Sequence, residues 1–276
     1  MRMDLSLGAN SDPDNSCLGT LTVGAIKTCD IGGLPIAVTD RTEAADAIAS
    51  LALGRRGTGR APIYITSANG QVLSLCARAT DVRALFEAAD IIHADGMPLV
   101  IASRLLSRHP LPERVATTDL FHDVARLAER TGIGLTFYLL GATPDGIARA
   151  TNAVRRRYPG LQIVGSHHGY VAPADEEALV RSIADAAPDI LWVGMGVPNE
   201  QRFVQRWRAQ LAGVGVIKTS GGLFDFLSGD RPRAPRWMQR AGLEWLYRLI
   251  REPTRLGLRY LTTNPHAVYI LLRQTR

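Results

Sequence analysis

From residue 31 to residue 219, short apolar runs alternate with stretches whose apolar side chains recur every three or four residues. The runs read as buried strands and the spaced stretches as helices packed by one face. Ile31–Ala37 reads as an entry strand or hairpin. Ile63–Thr66, Ile91–Ala94, Leu135–Leu140, Gln162–Gly165, Ile190–Gly194 and Val214–Thr219 read as strands. Between them Thr42–Leu53, Ala68–Ala77, Asp81–Ala89, Pro98–Leu106, Asp119–Arg130, Asp145–Tyr158, Asp175–Ala186 and Glu200–Leu211 read as helices, with a Gly/Arg-rich loop over Gly54–Ala61. Pro144 falls where a helix accepts proline, in its first turn. This alternation predicts an α/β domain over residues 23–230: a Rossmann-like, mostly parallel sheet with helices on both faces.

Past residue 230 the pattern changes. Residues 231–276 read as two or three helices, with Glu252-Pro253 ending one and starting the next. Residues 1–22 are polar and lack the apolar centre of a signal peptide, so they read as a disordered leader. No apolar run reaches the roughly 18–20 residues that cross a bilayer. Cys17, Cys29 and Cys76 show no CxxC spacing, which excludes a zinc ribbon and a disulfide framework and makes a reducing, cytosolic location the default.

Charge divides the chain at the same boundary. Residues 231–276 hold ten arginines, no lysine and two acids (Glu244, Glu252), while the first 230 residues carry a net −2. Thirty of the 32 basic residues are arginine, so it is their concentration in the tail that is informative. Beside them stand Trp237, Trp245, Leu246 and Tyr247. Guanidinium forks next to bulky apolar groups suit a surface both anionic and greasy, such as lipid head groups or a lipid diphosphate. Nucleic acid is disfavoured, because the charge is confined to one end and no nucleic-acid module is present.

Ligands of such sheets bind beyond the carboxyl ends of the strands. Those ends here carry Ser67-Ala68-Asn69, Asp95-Gly96, Gly141, Gly194-Met195-Gly196-Val197-Pro198 and Ser220-Gly221-Gly222, a polar cleft with close backbone approach. Asp95 is placed to take a proton from a bound hydroxyl; its alternative is to cap the helix from Pro98. Asn69, with Thr66 or Ser67, is placed for a sugar or pyrophosphate, the alternative again being a helix cap. Arg114 is a phosphate partner or a solvated side chain, with Thr118 or Asp119 capping the next helix. Glu200 and Gln201 are placed for hydroxyls; an acidic first turn accounts for them equally.

Gly141-Ala142-Thr143-Pro144 lacks both GxGxxG and the P-loop pattern, which disfavours a dinucleotide-binding oxidoreductase. No GxSxG elbow is present. His167-His168 has no partner at metal-ligand spacing, and the lone Asp-x-Asp, Asp12-Pro13-Asp14, falls in the leader, so no metal site is expected. In the tail, Arg248 and Arg251 share one helix face, and Arg255 and Arg259 another.

Several segments taken together resemble the WecG/TagA/CpsF glycosyltransferase family. They are Ser67-Ala68-Asn69, His93-Ala94-Asp95-Gly96-Met97-Pro98, Arg114-Val115, Gly221-Gly222-Leu223-Phe224-Asp225-Phe226, and Gly242-Leu243-Glu244-Trp245-Leu246-Tyr247-Arg248-Leu249 followed by Glu252-Pro253. The resemblance implies an inverting, metal-independent transferase needing no cofactor, which moves a sugar from a UDP-sugar to a saccharide on a polyprenyl diphosphate. Such a protein works as a peripheral protein at the inner face of the cytoplasmic membrane, in cell-surface or exopolysaccharide synthesis. By that resemblance Asp95 is the base, Ser67-Ala68-Asn69 is the substrate motif with Ser for Thr, and Arg248, Arg255 and Arg259 meet the lipid diphosphate. Substrate contacts are then expected at Thr66, Ser67, Asn69, Arg114, Gly141, Gly194, Glu200, Gln201 and Gly222. The family's P-K-Q-E is Pro198-Asn199-Glu200-Gln201 here, and Thr117 replaces its usual Gly. A non-catalytic membrane-binding protein on the same fold is the alternative, and a homo-oligomer is left open.

Overall fold

The computed structural model describes residues 22–240 and 242–276. The expected leader, with Asp12, Asp14 and Cys17, lies outside the described residues apart from Thr22.

A hairpin of β1 (Thr28–Ile31) and β2 (Leu34–Ala37) opens the domain. It turns through Gly32 and Gly33, whose φ angles of 60° and 76° suit a primed two-residue turn. The six-stranded sheet is parallel throughout. It consists of β3 (Ile63–Ala68), β4 (Ile91–Ala94), β5 (Thr136–Gly141), β6 (Gln162–His167), β7 (Ile190–Gly194) and β8 (Val216–Thr219), in the order β4-β3-β8-β7-β5-β6. Strands β4, β7 and β8 are buried along their whole length, as parallel strands covered on both faces must be, whereas β6 at the edge alternates exposed and half-buried residues. Beside Gly165 the β5–β6 register slips, and a Cβ there would sit 2.3 Å from the Tyr138 ring.

One face of the sheet is covered by α1 (Arg41–Arg55), α5 (Thr117–Thr131), α6 (Pro144–Arg157) and the short α9 (Leu223–Leu227). Phe121 on α5 meets the Trp192 ring edge-on at 4.9 Å, and Ile63, Ile65, Phe137 and Val216 complete that core. Asp40 and Glu43 form a reciprocal capping box at the start of α1, and Gly132, left-handed at φ 63°, ends α5. The other face carries α2 (Gly70–Arg78), α3 (Thr80–Glu87), α4 (Met97–Leu106), α7 (Glu176–Ala186) and α8 (Asn199–Trp207). α8 ends four residues before the sequence pattern suggests, and α9 is too short to show a period.

The C-terminal segment forms α10 (Arg236–Arg240), α11 (Glu244–Arg251) and α12 (Pro253–Gln274), with Pro253 opening α12 and Pro265 inside it. α11 lies over the strand exits. α12 packs back along the body: Ala267 lies against Gly70 of α2, Ile270 and Leu271 join the core around Phe86, and His266 Nδ1 meets Ser74 Oγ at 2.9 Å. Its end is tied to the hairpin by Gly33 N–H to the Gln274 carbonyl and Arg276 N–H to the Asp30 carbonyl. The opposite side of α12 presents Leu258, Leu261, Pro265, Val268 and Leu272 to solvent at helical spacing.

Candidate active site

Along β3 and β8, successive side chains point to opposite faces, so the strand ends supply two polar sets. Towards α5, Lys218 Nζ donates to Ser67 Oγ (2.8 Å) and to the Thr219 carbonyl (3.0 Å), and Ser67 Oγ pairs with Thr117 Oγ1 at 3.1 Å. Towards α8, the Thr219 hydroxyl donates to Thr66 Oγ1 at 2.7 Å, and Gln201 Nε2 lies 3.4 Å from Thr66 and 3.2 Å from Glu200 Oε1. Glu200, buried at the start of α8, accepts the backbone N–H of Gly221 at 2.9 Å and of Gly196 at 3.2 Å, clamping the β7 and β8 exits together. Burial pushes its carboxyl group up to about 7, against those backbone donors and Lys218, which favour the charge.

Asp95 follows β4, with its N–H bonded to the Ala68 carbonyl. The next turn of chain returns beside β4 through Val115 N–H to the Ala94 carbonyl, which brings Arg114 and the start of α5 to the acid. Asp95 does not cap α4: the cap position is Gly96, with no side-chain bond. Its carboxyl group faces the open N-terminus of α5, where the Thr117 N–H approaches it. Burial raises it above the ordinary carboxylate range, and Glu244 adds to that; Arg114, Lys218 and Thr117 pull it down. A second buried acid shows the contrast. Asp189 takes both arms of Arg56 (2.8 and 2.6 Å) and two donors of Thr136, so its oxygens are committed to structure. Asp95 has no such set of partners among the described residues and lines the cleft. A half-buried carboxylate poised above its usual range is what proton abstraction near neutral pH requires.

α5 begins at Thr117 with no side-chain cap, so neither Thr118 nor Asp119 caps it. Asp119 instead receives Arg233, from the segment before α10. Glu244 at the head of α11 accepts from Arg114 Nη1 at 3.1 Å and lies 3.6 Å from Arg233 Nε. Two arginines and two acids thus fasten the C-terminal helices over the body.

Beneath them is a cavity of about 1000 Å³. Its walls bring together Asp95, Ser67, Asn69, Arg114, Gly194, Glu200, Gly222, Arg248 and Arg259. Asn69 caps α2 through Oδ1 to the Val72 N–H (3.2 Å), which leaves its amide nitrogen as the donor for the cleft. Thr66 and Gln201 lie behind the wall in the network just described. Gly141 is also buried behind it, where a Cβ would strike the Gly194 carbonyl at 2.3 Å and the Phe224 ring at 2.8 Å. Arg248 stacks over Phe226 and Arg259 over Tyr260. The Arg255 side chain lies outside the described residues. Lys218 is the site residue that sequence reasoning passed over; Thr117 and Glu244 were named there without their places beside Asp95 and Arg114. One signal was available, since Lys218 is one of only two lysines in the chain.

A parallel α/β sheet whose strand exits hold buried acids beside arginines forms a cleft suited to an anionic ligand. The glycosyl transferase WecG/TagA/CpsF family model matches residues 29–276, and the chain belongs to that family; it is a glycosyltransferase. It is 33% identical over 216 residues to an N-acetylglucosaminyldiphosphoundecaprenol N-acetyl-beta-D-mannosaminyltransferase of Bacillus spizizenii, covering 77% of this chain and 80% of that protein. The Bacillus subtilis (strain 168) protein of the same name is 32% identical over 207 residues, covering 75% and 78%.

Proposed function

We propose that this enzyme transfers a sugar, with inversion and without a metal ion, from a UDP-sugar to a saccharide carried on a polyprenyl diphosphate, in cell-surface or exopolysaccharide synthesis. The observation that carries the reading is the meeting of Asp95 with arginines from both body and tail in one cavity. Asp95 accepts the proton of the acceptor hydroxyl. The oxygen attacks the anomeric carbon from the side opposite the diphosphate, the bond from that carbon to the phosphate oxygen breaks, and UDP departs with the electron pair. Attack from the opposite side gives inversion. The glycine turns after β7 and β8 offer close backbone approach to the donor, and guanidinium groups offset the charge growing on UDP. Arg248, Arg255 and Arg259 receive the lipid diphosphate. The names of the two relatives make an N-acetylmannosaminyl donor and an N-acetylglucosaminyl lipid acceptor the first pair to try.

Peripheral attachment to the inner face of the cytoplasmic membrane belongs to the same proposal. No helix among the described residues is long and apolar enough to cross a membrane. The outward stripe of α12, with exposed Trp237 and Ile250 and the tail's arginines, has the mixed apolar and cationic character of an interfacial surface.

The test is UDP release from a panel of UDP-sugars with a short-chain lipid diphosphate acceptor, in EDTA, with the anomeric configuration of the product read by NMR. Acceptor-dependent release with an inverted product is expected. A strict Mg²⁺ requirement or a retained configuration overturns the mechanism, and no release with any pair overturns the activity.

A further inference from the structure

We propose that Lys218 is a positioning residue for the transfer step: a buried cation that orients the Asp95 carboxylate through Ser67 and Thr117. The inference rests on the reading of Asp95 as the base.

Two observations single this lysine out. The chain uses arginine for 30 of its 32 basic positions, yet at the point of complete burial beneath the cleft it carries a lysine. An ammonium group is a compact point charge with three donors, which fits between β3 and β8, where a planar fork with five donors would leave several unmatched. Burying that charge is costly unless acids answer it. Among the described residues no carboxylate forms an ion pair with Lys218 within 4.0 Å; its bonded partners are a hydroxyl and a carbonyl. The acids that answer it, Asp95 and Glu200, do so through space rather than by a direct bond.

The hydrogen-bond chain is fixed in direction at its first link. An ammonium group cannot accept, so Nζ donates to Ser67 Oγ at 2.8 Å. Ser67 Oγ pairs in turn with Thr117 Oγ1 at 3.1 Å, a bond in which either hydroxyl can donate. Thr117 lines the cleft wall, and its backbone N–H approaches Asp95. The chain therefore sets both the charge beneath the base and the attitude of the α5 N-terminus that holds it.

The groups facing the pair are few. Asp95 is faced by Arg114 from the segment before α5, Lys218 from β8 and Glu244 from α11. Lys218 is faced by Asp95 and by Glu200 of α8, and it helps keep His93 of β4 neutral, a ring already driven down to about 3 by burial. Arg114 is shared with Glu244 and Asp119, so its charge is largely matched. Arg114 and Lys218 both favour ionised Asp95, and Lys218 is the one with no carboxylate bonded directly to it among the described residues. Its removal raises the Asp95 pKa, so the acid limb of activity moves to higher pH.

The decisive experiment is a pH titration of Asp95 in the full-length protein by carboxyl ¹³C NMR, assigned with Asp95→Asn, alongside the pH profile of kcat/KM. In Lys218→Met the midpoint and the acid limb are expected to rise by about one pH unit, a roughly tenfold loss at any pH on the limb, with UDP affinity unchanged. An unmoved midpoint overturns the proposal even if the rate falls. Should Lys218→Met not fold, Thr117→Val keeps every charge and cuts the chain. A fall in plateau kcat of about tenfold with unchanged donor affinity is expected; an unchanged kcat, or a loss of donor affinity alone, overturns it. Near-normal activity of Asp95→Asn is a separate outcome, which defeats the reading of the base rather than the role of the lysine.

Discussion

The body and the C-terminal helices treat charge and apolar surface in opposite ways. The body carries a net −2 and pairs its structural acids closely: Asp189 is enclosed by Arg56 and Thr136, and Asp90 takes Arg208 and the Tyr64 N–H. The tail carries +8 and leaves Leu258, Leu261 and Leu272 exposed on α12. A helix whose two sides are both apolar, one packed on α2 and the other uncovered, is not built for water alone. The contrast teaches that a folded enzyme core and a cationic, partly apolar surface are joined in one chain. Over the site the ionic join is made by Arg114 and Asp119 from the body with Arg233 and Glu244 from the tail, while α12 is held by its packing on α2.

The largest effect expected from breaking this division is on the acceptor. The double variant Arg248→Ala/Arg255→Ala removes two charge-assisted contacts of about 1.5–3 kcal/mol each. Its kcat/KM for the lipid diphosphate acceptor should fall about 100-fold or more in steady-state assays, with UDP affinity by calorimetry within about twofold of the wild type. Equal losses for donor and acceptor would show that the tail arginines are not specific to the acceptor.

Next in size is the join itself. Arg233→Ala strands Asp119 and loosens Glu244, at a cost of about 1–3 kcal/mol to docking. Amide exchange in α11 should quicken by about tenfold or more while the body strands keep their protection. The body should also show its own pH dependence. Because burial holds Asp95 above the ordinary carboxylate range, the charged base is lost as pH falls through that raised value. The plot of kcat/KM should drop about tenfold per pH unit on an acid limb lying well above that of an exposed aspartate. Smallest is a change confined to the body: Asp40→Ala removes the α1 capping box, costs about 1 kcal/mol, and should lower Tm by about 2–4 °C without altering the acceptor KM.

Much of this architecture was legible in the sequence because period and punctuation agree. Ile91–Ala94 and Ile190–Gly194 are strands with the ends the pattern gives, each stopped by an acid or glycine turn. Pro253 opens α12 as its ring geometry demands. The location of the site at the strand ends follows from the parallel class. What was not legible depends on contacts far apart in the chain. Arg233 and Asp119 are 114 residues apart, and Arg114 and Glu244 are 130. Within Val216–Thr219 a lysine interrupts an apolar run, and nothing local tells that its ammonium turns back to Ser67, 151 residues away. The alternative of Asp95 as a helix cap failed for a local reason: Gly96 takes the cap position of α4, and Asp95 faces α5 instead.

The central claim is that one carboxylate, Asp95, removes the acceptor proton. Acceptor-dependent UDP release by the wild type and by Asp95→Asn, with fold checked by circular dichroism and Tm, tests it most directly. The account predicts a loss of about 10²–10⁴-fold in kcat with fold and UDP affinity retained. Turnover within a few-fold of the wild type would contradict it.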